Sequence, residues 1–223
     1  MSTSNPRQHR VFLVDDHPLV REWLTNLINQ QPDLRVCGES ENAPDALAAI
    51  RLAKPEVAVV DISLKESSGI DLVKSLKSIS PEVAILVLSM HEETLYAERA
   101  LRAGAKGYIM KRETTRKVIE AIRRVLEGKP YLSDRVVEAM TLRVTEGETP
   151  GFRSPVERLS DRELEVFEFL GQGLGTRQIA TTLRVSLKTV QAYCARIKEK
   201  LSLTSATGLL REAIRWNESQ QRR

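Results

Sequence analysis

Five residues with usable chemistry close apolar runs in the first half of the chain. Asp15 and Asp16 follow RVFLV, Asp61 ends VAVVD, Ser89 ends VAILVLS and Lys111 ends GYIMK. Taken alone, Asp61 reads as an aspartate opening a turn before Ser and Gly. It also ends a run that suits a strand buried on both faces, and an unpaired carboxylate is costly there, so it belongs in a polar site at the strand's mouth. Three carboxylates brought together repel one another unless a cation intervenes, and oxygen ligation with room for water suits Mg²⁺. Lys111 alone carries too little positive charge to balance them. A carboxylate beside such an ion can accept a phosphoryl group covalently, with the Ser89 hydroxyl and the Lys111 ammonium meeting its oxygens. The chemistry read from this set is a transient aspartyl phosphate on Asp61.

That chemistry requires the five groups to share one edge, and the pattern of elements supplies it. Strands are expected at Arg10 to Val14, Arg35 to Glu39 (an edge-like one), Val57 to Asp61, Val83 to Ser89 and Gly107 to Lys111. Helical periods separate them: Leu19, Val20, Trp23, Leu24, Leu27 and Ile28 after Pro18; Ala46, Leu47, Ala49 and Ile50 between Pro44 and Pro55; Ile70, Leu72, Val73 and Leu76. A fourth helix covers Glu93 to Ala103 and stops at Gly104, and a fifth carries Val118, Ile119, Ile122, Val125 and Leu126 before Gly128. Five strands alternating with five helices predict an α/β fold, a doubly wound five-stranded parallel sheet. Ligands of such sheets bind beyond the carboxyl ends of the strands, where the five groups fall.

The totals fit one large domain or two ordinary ones in a soluble chain: 223 residues, 41% apolar and 29% charged. No apolar stretch reaches membrane-spanning length, and Met1 to Arg10 has no signal-peptide middle, so a cytoplasmic protein without a membrane partner is expected. Cys37 and Cys194 have no paired spacing and read as reduced thiols. Residues 1–152 carry 21 Lys and Arg against 22 Asp and Glu, whereas 153–223 carry 13 against 8. The basic C-terminal part suits a polyanion partner or an ordinary solvated surface.

After Gly128 the pattern loosens. Leu132 to Leu142 is expected to be helical, capped by Ser133 or Asp134, and TEGETPGFRSP reads as flexible linker. Ser160-Asp161-Arg162-Glu163 has the form of a capping box before Leu164, Val166, Phe167 and Leu170. A short helix from Thr176 turns Ile179, Ala180 and Leu183 inward. After Arg184-Val185-Ser186 a longer helix runs to Leu201 with Val190, Ile197 and Leu201 buried, and Leu209, Leu210, Ala213 and Ile214 close a fourth. The long helix leaves Lys188, Gln191, Ala192, Ala195 and Lys198 on its other side. That face suits either a major groove or plain solvent, and periodicity does not choose.

Two sets of motifs resemble known families. DDHP after the first strand, VVDISLKESSG, VLSMH and GYIMK together resemble the receiver domain of bacterial two-component response regulators, a CheY-like, flavodoxin-like fold, over about residues 9–127. The resemblance implies that Asp61 is the phosphoacceptor, that Asp15, Asp16, Asp61 and the Ser63 backbone carbonyl hold Mg²⁺, and that Ser89 and Lys111 bind the phosphoryl group. It also implies that Tyr108 is an aromatic whose rotamer follows Ser89, although an ordinary half-buried tyrosine would look the same. His17 is read as a residue at the helix start, neither ligand nor phosphodonor, since a lone histidine has no evident partner.

LSDRELEVFEFLGQGLGTRQIATTLRVSLKTVQAYCARIKEKL resembles the LuxR-type helix-turn-helix of the NarL/FixJ class over about residues 157–217. By position, Lys188, Thr189, Gln191, Ala192 and Ala195 are implied near bases or phosphates, with Arg177, Arg196 and Lys198 on the DNA backbone. Ala192 and Ala195 stand where longer polar side chains are frequent, which leaves few hydrogen bonds for base readout. Tyr193 replaces a frequent His, Ser202 a helix-ending Gly and Gly208 a Glu.

The expected organisation is therefore a receiver at 9–128, a partly helical linker at 129–155 and an all-α, four-helix DNA-binding domain at 156–218. The expected function is a phosphorylation-regulated bacterial transcription factor, with no enzymatic activity beyond self-phosphotransfer and autodephosphorylation at Asp61. Its expected partners are a sensor histidine kinase, promoter DNA, RNA polymerase and, when active, a second copy. An aspartyl-phosphate phosphohydrolase is a poorer fit, because its nucleophile would follow the first strand in a DxD pattern. A phospho-switched module binding protein instead of DNA is a further alternative.

Overall fold

The computed structural model describes residues 8–64, 67–91, 93–113, 115–145 and 155–221. They divide into two compact units, Met1–Gly147 and Glu148–Arg223. Among the described residues, no helix is long and apolar enough to cross a membrane.

In the first unit the chain runs β1 (His9–Val14), α1 (Pro18–Asn29), β2 (Leu34–Ser40), α2 (Ala43–Ala53), β3 (Val57–Asp61), β4 (Ser63–Leu64), β5 (Ser67–Ser68), α3 (Gly69–Ile79), β6 (Ala84–Ser89), α4 (Glu93–Ala103), β7 (Gly107–Met110), α5 (Thr115–Leu126) and α6 (Asp134–Thr145). Five strands form a parallel sheet in the order β2-β1-β3-β6-β7, while the two-residue β4 and β5 pair separately and antiparallel. All five residues of β3 are buried, as expected of a central strand covered on both faces. On one face Val11, Leu13, Val57, Val59, Leu86, Leu88 and Ile109 meet Leu24 and Ile28 of α1 and Val118, Ile122 and Val125 of α5.

The strand order reverses between β1 and β3, where Val14 pairs with Val60. Asp15 and Asp61 stand one residue beyond, at the crevice where such sheets take ligands. Local chemistry fixes the ends of the elements. Pro18 opens α1, the Asn42 side chain caps α2 by accepting the Asp45 N–H, and the Ser68 hydroxyl accepts the Ile70 N–H at the start of α3.

β6 starts at Ala84 because the Val83 N–H is turned back onto the Ser80 carbonyl. β7 ends at Met110, and Lys111 follows it with its N–H on the Ser89 carbonyl at 2.7 Å. Beyond α5, Tyr131 pairs with Gly107 along the edge of the sheet, its carbonyl taking the Tyr108 N–H at 2.9 Å. Ser133, not Asp134, caps α6, accepting the Val136 N–H at 3.2 Å.

In the second unit a 3-10 turn (Pro155–Arg158) precedes α7 (Asp161–Gly171), α8 (Thr176–Thr182), α9 (Leu187–Lys200) and α10 (Ala206–Gln221). The capping box forms: the Glu163 N–H reaches the Ser160 hydroxyl and the Glu163 carboxylate takes the Ser160 N–H at 2.7 Å. Lys200 lies 2.6 Å from the same carboxylate and ties the end of α9 to the start of α7. Leu164, Phe167, Ile179, Val190, Ile197, Leu209 and Ala213 are buried.

Three expected core positions are not buried. Leu201 is half-buried, and Leu210 and Ile214 are 40% and 38% exposed. Neighbouring residues on a helix are about 100° apart, so Leu209 and Ala213 take the inward line and leave Leu210 and Ile214 beside it. Of the expected linker at 129–155, residues 146–154 lie outside the described residues.

Candidate functional site: an acidic pocket and an exposed helix face

The carboxylates of Asp15, Asp16 and Asp61 are all buried, at 2%, 7% and 3% exposure. The Lys111 ammonium lies 2.7 Å from an oxygen of Asp15 and 2.7 Å from an oxygen of Asp61. Burial pushes the Asp61 carboxyl above the usual carboxylate range; Lys111 opposes that push and the Asp15 charge adds to it. Burial would likewise drive Lys111 toward its neutral form, but Asp61 and Asp15 outweigh it and hold the ammonium above the usual lysine value. Three carboxylates against one ammonium leave a formal deficit that a dication matches.

The donor set fits such an ion. One ligand atom each from Asp15, Asp16, His17 and Asp61 can be chosen so that all lie within 4.8 Å of one another. The pocket is thus an acidic site compatible with a divalent metal. His17, expected to lack partners, has two: its Nδ1 is 2.8 Å from Asp16 Oδ1 and 3.1 Å from Asp15 Oδ1. Nothing in the sequence pairs this ring with the acids before it except adjacency, which is too common to signal anything.

The structure brings Ser63 and Lys111 onto Asp61, and it brings Ser89, at the end of β6, and Tyr108, in β7, onto His91. The Ser63 N–H donates to Asp61 Oδ1 at 3.2 Å. Ser89 is fully buried and its hydroxyl accepts the His91 N–H at 3.0 Å. Tyr108 is also buried and donates its hydroxyl to the His91 carbonyl at 2.9 Å. His91 thereby touches both, and its Nε2 lies 2.8 Å from the Ser63 hydroxyl while its ring stacks on Tyr96. Sequence reasoning gave His91 no part, because its contacts lie 17 and 28 residues away. It also passed over Gly69, where an added Cβ would fall 1.9 Å from the Asp61 carbonyl oxygen. The signal was present in the Ser-Ser-Gly that follows Asp61.

In the second unit, Leu183 to Ser186 turn α8 into α9, with Arg184 in the left-handed region at φ 53° and the Ser186 hydroxyl capping α9. Lys188, Gln191, Ala192, Ala195 and Arg196 are exposed on α9, as is Arg177 on α8. Thr189 and Lys198 are half-buried, and the Thr189 hydroxyl lies 2.7 Å from that of Ser186, within the cap. Ser202 adopts φ 55° at the end of α9, the conformation for which Gly is usual. Ser205 caps α10 through the Gly208 N–H, without a glutamate to reach back.

Residues 11–123 match the response regulator receiver domain, and residues 157–213 match the bacterial regulatory proteins of the luxR family. Response regulator GacA of Pseudomonas aeruginosa is 31% identical over 92% of this chain and 95% of its own length. The DNA-binding transcriptional activator DevR/DosR of Mycobacterium tuberculosis is 32% identical over 89% and 90%. A two-component response regulator of the LuxR family from Aurantimonas sp. SI85-9A1 superposes with a TM-score of 0.58 at 30% identity, covering 62% of this chain and 99% of that one. The buried acidic pocket, the helix-turn-helix and these matches together place the chain in the LuxR-family response regulators, transcription-regulating proteins that join a receiver domain to a DNA-binding domain.

Proposed function

We propose that Asp61 is the phosphoacceptor of this response regulator and that its phosphorylation controls promoter binding through α9. The observation that carries the reading is the Asp61 carboxylate at the carboxyl edge of β3, held 2.7 Å from Lys111 beside the buried pair Asp15 and Asp16. Asp15, Asp16, Asp61 and the Ser63 backbone carbonyl would hold Mg²⁺, which when bound neutralises charge on the phosphoryl oxygens. An Asp61 oxygen attacks the phosphorus of a sensor histidine kinase's phosphohistidine, the P–N bond breaks, and the imidazole nitrogen takes up a proton. Lys111 then pairs with one phosphoryl oxygen and the Ser89 hydroxyl donates to another. Tyr108 is buried with its hydroxyl on His91, so movement of Ser89 reaches it through that one residue. The phosphate acts as a local charge biasing a two-state element.

On the output side, Lys188, Thr189, Gln191, Ala192 and Ala195 face bases or phosphates, and Arg177, Arg196 and Lys198 hold the DNA backbone. Two copies would place their α9 helices on half-sites about one DNA turn apart. The working boundaries are 9–128, 129–155 and 156–218, in a cytoplasmic protein whose further partner is RNA polymerase. Acetyl phosphate with Mg²⁺ should label the chain and spare Asp61→Ala; equal labelling of both ends the phosphoacceptor reading. Lys188→Ala with Gln191→Ala should weaken salt-sensitive retention on duplex DNA at least about tenfold, and unchanged binding shows that another face meets DNA.

A further inference from the structure

We propose that the groove between α1 and α5 is where two copies of this chain meet, α5 against α5 in antiparallel register. This rests on the reading of the active protein as a dimer and names the surface that makes it. The groove encloses about 530 Å³ between the end of α1, at Leu27 and Gln31, and α5. Its floor is apolar, with Ile119 buried and Leu27 half-buried. Arg116, Glu120, Arg123 and Glu127 line its rim. With successive residues about 100° apart on a helix, these side chains fall within about 60° of its circumference and form one charged stripe.

That stripe is complementary to its own reverse. The midpoint of Arg116 and Glu127 lies between Ala121 and Ile122, and so does the midpoint of Glu120 and Arg123. A two-fold axis through that point sets Arg116 opposite Glu127 of the second copy and Glu120 opposite Arg123 of the second copy. Symmetry repeats each pair, as an isologous contact requires. The charges are not already matched within the helix. Arg116, Glu120 and Arg124 have the spacing at which charges pair along a helix, yet the ion pairs around α5 among the described residues run from Lys117 to Glu113, Arg123 to Asp33 and Lys129 to Glu127. Arg123 is held in place by Asp33, to which it gives Nε and Nη2, and its Nη1 is left for a further carboxylate. Glu127 and Lys129 are both more than half exposed, so their pair is weak and easily exchanged. A small ligand of one sign fits this rim poorly: an anion would meet Glu120 and Glu127, a cation Arg116 and Arg123. Elsewhere the chain covers itself, since Tyr131 pairs along the open edge of β7 and α6 packs on α4.

The test is self-association of the full chain, treated with acetyl phosphate and Mg²⁺ and followed by sedimentation equilibrium. Arg116→Glu and Glu127→Arg each set like charges against one another at both symmetric positions, so each variant alone should associate at least about tenfold more weakly. Mixed in equal amounts, the two variants restore opposite charges at both positions, and their Kd should return to within about threefold of the wild type's. The double variant, with both changes in one chain, should recover in the same way. Rescue by mixing also separates a lost contact from a lost fold. A wild type that stays monomeric, single variants that dimerise like the wild type, or a mixture no better than either variant overturns the assignment. Labelling of Asp61 is scored in the same samples. If Asp61 labels while one of those results holds, only the surface falls. If labelling fails while mixing rescues the dimer, the surface stands and the phosphoacceptor reading falls.

Discussion

Replacing Lys111 with Met keeps most of the stem and removes the charge. The ammonium sits 2.7 Å from carboxylate oxygens of both Asp15 and Asp61, and the side chain is 8% exposed. Charge centres about 4 Å apart attract by about 4 kcal/mol at an effective dielectric constant near 20. Two such attractions, less the cost of burying the ammonium, are consistent with a loss of about 3–5 kcal/mol when one partner of a buried ion pair is removed. Without divalent metal the first unit should therefore melt roughly 10 °C lower. Binding should respond in the opposite direction. Removing a positive charge beside the pocket should tighten Mg²⁺ at least about tenfold, or about 1.4 kcal/mol. At saturation the stability gap between Mg²⁺ and EDTA should widen in Lys111→Met by at least that amount.

The chain has two tryptophans, and Trp23 packs against the core of the first unit. Urea unfolding followed by Trp23 fluorescence in a Trp216→Phe background reports that unit alone. Labelling by acetyl phosphate should fall, because the phosphoryl oxygens lose their ammonium. Equal midpoints for Lys111→Met and its parent in EDTA, or a Mg²⁺ gap no wider than the parent's, would refute the charge-balance reading of the pocket.

Gly69→Ala should cost about 3 kcal/mol or more and sharply reduce labelling of Asp61, measured by urea unfolding and acetyl phosphate incorporation. Its Cβ would meet the Asp61 carbonyl oxygen at 1.9 Å and Ile62 Cα at 2.7 Å, both backbone atoms that cannot turn aside. Gly107→Val should loosen the edge pairing of Tyr131, whose carbonyl lies 3.0 Å from an added Cβ, and hydrogen exchange at the Tyr108 amide should quicken about tenfold. Glu163→Gln should cost the second unit about 1–3 kcal/mol at pH 7, since it weakens a charge-assisted cap and the Lys200 contact. Burial raises the Glu163 pKa, but hydrogen bonds from Lys200 and Ser160 prevail and hold it below 4.5. Its folded pKa is thus depressed, so the contribution is whole above that value and disappears as pH falls through the folded pKa. The difference between wild type and Glu163→Gln, followed by Trp216 fluorescence in a Trp23→Phe background, should shrink below pH 4.5 and remain constant between pH 6 and 8.

The parallel sheet and its acidic edge were legible because two independent signals coincide there. β-branched runs specify central strands whatever follows them, and a charge ending such a run has to leave the core. That reasoning placed Asp15, Asp61, Ser89 and Lys111 without any contact being known. It was blind to groups whose meaning lies in contacts across the fold. His91 follows β6 as an ordinary loop residue, and only folding brings its ring onto Ser63 and Tyr96 and its carbonyl under Tyr108. Tyr131 is similar: a single bridge along a sheet edge needs no alternation of apolar residues, so the stretch after Gly128 carries no strand pattern.

The output half shows a different limit. Periodicity gave α9 a buried line through Val190 and Ile197, which the structure has, and an open face that solvent and DNA would occupy equally well. Exposure narrows that face by chemistry. The Thr189 hydroxyl is engaged with Ser186 in the helix cap, and Lys198 is half-buried. Lys188 and Gln191, three residues apart on one line of the helix and both exposed, keep their polar ends available. Ala192 and Ala195 beside them offer only methyl groups. Whatever sequence preference this helix has should therefore depend on two polar side chains and on the shape of the DNA, with methyl contacts to thymine in support.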